Sequence, residues 1–294
     1  MMQKLKLLLI GLVLIQLSFA ENTEVSIVPF TISQNGQIII TACINNKSFP
    51  AKFYIETNGQ NLLRSDQSDR LRLVYINPDN EITTIDSVMI GTTLFKNSEF
   101  RIASKLEKRG IYAFPDSILG TLGPEIFENR ILQIDFKAKV LKITDKVKLL
   151  QIPDSAFKMS FRDDRQTTGI NLELQTEDFG THDVAVDTRS PLGIHLYYSD
   201  LSSSQKKKHK DEFRHSAVKL DGIHNKTFVF FEPEPMSINK TIQINGQPVW
   251  LSDFIPNSIG NEFLNRFRVT IDFREHILYL EPVSIKGKQM LTPL

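Results

Sequence analysis

Short runs in which apolar and β-branched residues alternate with polar ones recur along the chain, separated by polar turns, and this is the signature of half-buried strands. Phe30-Thr31-Ile32 and the run Gln37 to Ile44 lead into the turn Asn45-Asn46-Lys47, and Pro50 to Ile55 returns as a hairpin partner. The device repeats where Gly169 to Gln175 alternates, a polar turn follows near Glu177 to Gly180, and His182 to Val186 runs back. Further hairpin turns are predicted at Asn77-Pro78-Asp79-Asn80 and at Asn245-Gly246. Short helices are predicted only at Pro124 to Glu128, Ser199 to His215 and Asn261 to Phe267. Many short strands with polar turns predict an all-β fold of barrels or sandwiches, not a doubly wound sheet.

Two of these strands end in a similar acidic triplet. The apolar strand before Glu56-Thr57-Asn58 is matched by the one before Asp187-Thr188-Arg189-Ser190, 131 positions later (56 to 187). Each triplet is followed by an apolar-Gly pair, Leu122-Gly123 and Ile259-Gly260, and then by Ile134-Asp135-Phe136 and Ile271-Asp272-Phe273. Twelve positions separate Gly123 from Asp135, and twelve separate Gly260 from Asp272, so the two closing segments align without gaps. The chain is internally duplicated, with a natural boundary in the stretch Asp145 to Pro153; the halves are 21–148 and 149–294.

Composition narrows the class. With 294 residues, 41% hydrophobic and 23% charged, the chain can bury a large core, and a formal net charge of +1 leaves no basic stripe for nucleic acid. Residues 1–20 read as a signal peptide: Lys4 and Lys6 precede the apolar run Leu7 to Ile15, and Ser18-Phe19-Ala20 offers small residues before a cleavage point at Glu21. The mature protein is therefore expected to be exported, periplasmic or secreted, with no membrane-spanning segment after cleavage. One cysteine, Cys43, excludes an internal disulfide framework, and its apolar neighbours predict a buried thiol. The six histidines, His195 among them, show no ligand-like spacing, so neither metal nor cofactor is expected. Asn46, Asn225 and Asn239 begin glycosylation-type triplets, which are too common to identify a host.

An apolar strand running into an acid-Thr triplet, a later apolar-Gly, and a closing strand such as Arg266-Phe-Arg-Val-Thr-Ile-Asp-Phe273 resemble the retropepsin-like and pepsin-like aspartic proteases. The duplication is similar to the bilobal exported bacterial members. That resemblance implies a two-lobed pepsin-like β-barrel fold, sufficient as a monomer, with a peptide or protein ligand held as an extended strand between the lobes. It also implies that Glu56 and Asp187 are the acids of a dyad that shares one proton and activates a water. By the same resemblance Thr57 and Thr188 brace the two loops, Ser190 orients Asp187, and Tyr75 heads a flap hairpin.

The triplets depart from Asp-Thr-Gly. Glu56 is one methylene longer than an aspartate, and Asn58 and Arg189 stand at the glycine positions. A guanidinium beside Asp187 favours its ionised form, which removes the shared proton. Gly59 offers the first loop a shifted glycine. The reading that follows is an aspartic-protease-like protein that binds peptides with hydrolysis lost, and the alternative is an active endopeptidase using the Glu56/Asp187 dyad. A third reading leaves the two acids far apart on an unrelated all-β protein. Asp135 and Asp272 are expected to face a turn or a backbone donor, and Trp250 and Phe228 to Phe231 to pack as core.

Overall fold

The computed structural model describes residues 24–45, 49–68, 75–77, 82–103, 115–164, 169–177, 179–208, 214–219, 225–231, 235–245, 247–253, 255–283 and 291–293. Residues 1–23, which include the expected signal peptide, and the turn residues 78–80 lie outside them.

The duplication in the sequence becomes a symmetry of strand pairing. A six-stranded sheet runs in the order Ser26–Pro29, Val140–Thr144, Ile131–Asp135, Phe267–Asp272, Ile277–Pro282, Phe157–Ser160, three strands from each half. At its centre Ile131–Asp135 lies antiparallel to Phe267–Asp272, with Gln133 opposite Thr270. These two positions are 137 apart, which is the repeat distance of the closing motifs (123 to 260, 135 to 272). A residue that pairs with its own counterpart marks a pseudo-twofold axis, as in an isologous interface between two subunits. Leu132 opposite Ile271 and Ile134 opposite Val269 flank it symmetrically. Gln133 Nε2 donates to Thr270 Oγ1 at 2.9 Å on that axis, and both residues are buried.

Each half adds its own sheet. The first holds eight strands in the order Thr31–Ile32, Ile38–Ile44, Phe49–Ile55, Ile118–Leu122, Leu62–Arg64, Thr93–Ala103, Ile82–Ile90, Tyr75–Asn77. In the second, Gly169–Thr176 and Gly180–Val186 form the hairpin that matches Ile38–Ile44 and Phe49–Ile55 at an offset of 131. Strand Ile38–Ile44 shows why such sequences pair: its even-spaced residues Ile38, Ile40, Ala42 and Ile44 are buried, while the residues between them are partly or fully exposed. Buried isoleucine, leucine, valine and phenylalanine from both halves join in one continuous core.

The repeated aspartates of the closing strands act as expected. Asp135 Oδ1 accepts the Ala138 N–H at 2.8 Å, and Asp272 Oδ1 accepts the N–H groups of Arg274 and Glu275 at 3.1 and 3.3 Å. These carboxylates hold equivalent hairpin turns in which Lys139 and His276, again 137 apart, take a left-handed conformation at φ 55° and 52°.

Several local expectations are corrected. The helix predicted over Ser199 to His215 is a 3-10 turn at Tyr198–Asp200 and a short helix at Ser203–Lys208. Arg214–Lys219 is instead a strand, recruited by antiparallel pairing with Asn225–Phe231, because a partner edge outweighs local preference. The other two helices form at Pro124–Phe127, as a 3-10 turn, and at Asn261–Leu264. Gly246 of the turn expected at Asn245-Gly246 lies outside the described residues; of the flanking strands, Ile242–Ile244 pairs with Met236–Ile238, and Val249–Ser252 with Ile194–Tyr197 and Asn225–Phe231. Cys43 is half-buried, not buried. Tyr75–Asn77 pairs with Ile82–Ile90, but the tip of that hairpin and the Tyr75 side chain lie outside the described residues. Among the described residues no helix is long and apolar enough to cross a membrane.

Candidate functional site

Each triplet is placed by the same two contacts. Phe49–Ile55 lies parallel to Ile118–Leu122, and at its end the Glu56 N–H donates to Leu122 O at 3.1 Å. Gly180–Val186 lies parallel to Ser258–Ile259, and the Asp187 N–H donates to Ile259 O at 2.9 Å. The apolar-Gly motif after each carbonyl then passes close to the triplet loop. A Cβ on Gly260 would sit 2.6 Å from Ser190 O and 2.4 Å from Leu192 O, and one on Gly123 would sit 2.7 Å from the Gln60 carbonyl carbon. These two glycines let the loops close on the acids.

The threonines bind the halves to each other. Thr57 Oγ1 donates to Val186 O at 2.6 Å and accepts the Thr188 N–H at 3.1 Å, while Thr188 Oγ1 donates to Ile55 O at 2.9 Å. Val186 and Ile55 are counterparts 131 apart, so the exchange is reciprocal about the same pseudo-twofold. All of these groups are buried, and a buried backbone group that loses its partner costs about 1–3 kcal/mol. Thr57→Val strips a donor from Val186 O and an acceptor from the Thr188 N–H, and is expected to cost about 2–3 kcal/mol in urea denaturation. Thr188→Val, which removes one such bond, should cost about half as much, and the double variant less than the sum.

The acids themselves are joined by Arg189. Its backbone N–H donates to Asp187 Oδ1 at 2.8 Å, and its side chain reaches into the first half, where Nη1 donates to Glu56 Oε2 at 3.1 Å. The guanidinium lies 5.7 Å from the centre of the Tyr54 ring. This ion pair is almost wholly removed from solvent, with side-chain exposures of 4% for Arg189 and 9% for Glu56. The sequence places Arg189 beside Asp187; the structure adds that its side chain reaches Glu56 in the other half.

The longer acid and the two lost glycines are accommodated by space elsewhere. The Glu56 carboxylate lies over Gly59, where a Cβ would be 2.5 Å from Oε1. Asn58 forms a bridge with Gly169 of the second half, and a Cβ there would stand 2.3 Å from Asn58 Oδ1. Burial pushes the Glu56 carboxyl up from 4.5 to about 7, the Arg189 charge working against the shift and the Asp187 charge with it.

Ser190 departs from its expected role. Its hydroxyl is buried and makes no hydrogen bond among the described residues, while its N–H donates to Asp187 O at 3.2 Å. Three residues that the sequence did not single out do more here. Asn261 Nδ2 donates to Thr188 O at 2.6 Å and to Gly36 O at 2.7 Å, linking the second triplet to the first half. Asn61 Oδ1 accepts the Gly123 N–H at 2.7 Å. His195 is fully buried, with Nδ1 3.1 Å from Pro256 O and Nε2 2.8 Å from Ser252 Oγ. A carbonyl only accepts, so Nδ1 carries the proton and Nε2 accepts from the serine. Neither asparagine has an asparagine at its repeat-related position, so the duplication gave no signal for them. Asn239, one of the glycosylation-type asparagines, is engaged internally, its amide bound to Ser160 O and the Glu173 N–H at 2.8 and 2.7 Å.

Among the described residues no group of three or more histidine, cysteine, aspartate or glutamate side chains could hold a metal ion. Cavities of about 940, 560 and 340 Å³ open elsewhere, and none is lined by Glu56, Asp187 or Arg189.

No protein-family model matches the chain, and neither does any curated protein. Among solved structures the chain is similar to the aspartic proteinase from Irpex lacteus, at 12% identity and a TM-score of 0.57, over 91% of this chain and 100% of that one. At this identity the likeness is one of architecture, and it agrees with the strand pairing above: the chain has the two-lobed, pepsin-like β fold.

Proposed function

We propose that the chain is an exported, aspartic-protease-like protein that holds extended peptides between its two halves and does not hydrolyse them. The observation that carries this reading is the buried contact between Arg189 Nη1 and Glu56 Oε2. Hydrolysis by a carboxyl dyad needs one proton shared between two adjacent acids and a water polarised by both. Here a fixed cation is bonded to one acid through its side chain and to the other through its backbone N–H. A guanidinium cannot give up its proton, and its charge favours the carboxylate form of whatever it faces. It works against protonation of Glu56, although burial outweighs it there, and it occupies one lone pair of Glu56 Oε2 that a water would use.

Peptide binding in the cleft rests on the fold and on extended-strand recognition, in which backbone hydrogen bonds carry affinity. Export rests on the character of residues 1–20. The test is incubation of the mature protein with an unfolded peptide library from about pH 3.5 to pH 7, read by mass spectrometry, alongside calorimetric titration of the same peptides. Retention of peptides with no new termini is expected. New termini that vanish in Asp187→Asn and are blocked by a statine-type inhibitor would instead establish the active Glu56/Asp187 endopeptidase.

A further inference from the structure

We propose that the terminal strand Leu291–Pro293 is an exchangeable strap, which closes the edge of its own second half or the same edge of a second copy, so that two copies join by reciprocal strand exchange. The strap lies antiparallel on Ile242–Ile244, with Ile242 opposite Pro293, Gln243 opposite Thr292 and Ile244 opposite Leu291. It stands last in the strand order of the eleven-stranded sheet, beyond Met236–Ile238 and Ile242–Ile244. The contact is separate from the cleft and rests on none of the groups assigned to it.

The strap is held by little. Opposite residues of an antiparallel pair alternate between exchanging two hydrogen bonds and exchanging none. The strap therefore has two such bonds if Gln243 and Thr292 form the bonded pair, and three if the flanking pairs do, because Pro293 has no N–H. A terminal segment tied so lightly opens at a small fraction of the cost of global unfolding. The chain before it is firmly anchored: Ile277–Pro282 pairs with Phe267–Asp272 and Phe157–Ser160 in the six-stranded sheet, and the Val283 N–H donates to Arg266 O at 2.8 Å. Residues 284–290, which lie outside the described residues, join this anchor to the strap and limit its reach to about 28 Å. The strap thus pairs in a different sheet from the strand that precedes it, and only this tether favours its own edge over another.

The receiving edge is fixed from its inner side. Ile242 and Ile244 are buried in the continuous core together with Met236 and Ile238, across which they pair. Met236–Ile238 pairs in turn with residues 174–176. The turn between the two strands holds Asn239 and Lys240 in left-handed conformations at φ 46° and 53°, and the Thr241 N–H donates to Ile238 O at 2.8 Å. The Asn239 amide fastens that turn to Ser160 O and the Glu173 N–H. A preformed edge and a lightly held chain end are the two parts a strand exchange needs, and the exchanged pair regains in each copy the contact that the other gave up. Proline cannot donate into a ladder, so a strand that carries one ends a sheet and does not extend it. With Pro293 in the strap, the exchange closes at two copies.

Within one chain a short tether presents the strap to its edge at an effective concentration on the order of millimolar, so exchange sets in as the protein concentration approaches that value, and the single copy prevails below it. The test mixes two variants of the mature protein, both carrying Cys43→Ser, one with Gln243→Cys and the other with Thr292→Cys. They are combined at about 1 mM, diluted, and oxidised with glutathione disulfide, and the disulfide-linked mixed dimer is measured. Positions 243 and 292 face each other across the strap, so a link between chains reports exchange. Its yield is expected to exceed at least tenfold that of the pair Lys137→Cys and Thr292→Cys, since Lys137 is exposed in the first half. The double variant Gln243→Cys/Thr292→Cys, oxidised beforehand in dilute solution, locks its own strap and should sediment as a single copy at the higher concentration. If the melting temperature shows that Gln243→Cys does not fold, a chain ending at residue 287 replaces it. That chain is expected to bind a fluorescein-labelled peptide of residues 288–294 at least tenfold more tightly than the full chain, whose own strap competes. A mixed yield no greater than the Lys137→Cys control overturns the proposal, as does equal peptide affinity of the shortened and full chains. A dimer that persists with the strap locked places the contact between copies elsewhere and overturns it as well.

Discussion

Glu56→Leu is expected to destabilise the protein by about 3–5 kcal/mol at neutral pH, because it withdraws the carboxylate from a buried guanidinium that has no means of becoming neutral. The Arg189 side chain is only 4% exposed and its Nη1 is bonded to Glu56. The reverse substitution is milder. In Arg189→Met the Glu56 carboxyl, already raised to about 7 by burial, takes up a proton and remains a neutral group in the same place. Its cost is expected to be about 1–3 kcal/mol near pH 7.5 and smaller near pH 5. The double variant Glu56→Leu/Arg189→Met should recover most of the loss, since a buried ion pair exchanged for apolar side chains of similar volume is often neutral or stabilising. Urea denaturation of the four proteins gives the coupling directly. Costs that simply add would mean that the two side chains do not act on each other, and the central objection to hydrolysis would go with them.

The same pair shows what a sequence discloses of a site and what it withholds. The two acids, the threonines and the apolar-Gly motifs were legible because duplication repeats them, and repetition at a fixed offset is visible without coordinates. The triplets repeat at 131 and the closing motifs at 137, and the strand pairing inherits the second offset, so Gln133 opposite Thr270 follows once the halves meet about an axis. Arg189 is different. Sequence adjacency placed its charge beside Asp187, and nothing in the sequence told that the end of its side chain also lies 3.1 Å from Glu56 in the other half. Ser190 illustrates the complement: a hydroxyl in the right position whose rotamer makes no bond to its neighbour. Non-local pairing also defeated local pattern at Arg214–Lys219, where the basic run upstream suggested a helix and the partner strand Asn225–Phe231 imposed an extended chain. Asn61 and Asn261 stayed hidden because their tasks, fixing Gly123 and Thr188, differ between the halves and left no repeat.

Two buried titratable groups should make the pH dependence of stability look deceptively flat. Glu56, raised by burial from 4.5 to about 7, contributes stability that is fully present below pH 4.5 and is lost as pH rises through about 7. His195, lowered by burial from 6.5 to about 4, contributes stability that is present above pH 6.5 and is lost as pH falls through about 4. Each effect is worth about 2–3 kcal/mol between about pH 7.5 and pH 4.5, and the two have opposite sign over the same window. Glu125, raised by its own burial, acts in the sense of Glu56, while Asp135, lowered from 3.8, acts below the window. On acidification over that range Glu56→Gln is therefore expected to lose about 2–3 kcal/mol relative to the wild type, and His195→Gln to gain about as much. The double variant should follow the wild-type profile again. Parallel denaturation series at four or five pH values measure these slopes independently of any constant cost of the substitutions. If Glu56→Gln keeps the wild-type slope, the Glu56 carboxyl does not titrate within the window. Arg189 would then outweigh burial and hold it as a carboxylate throughout the window.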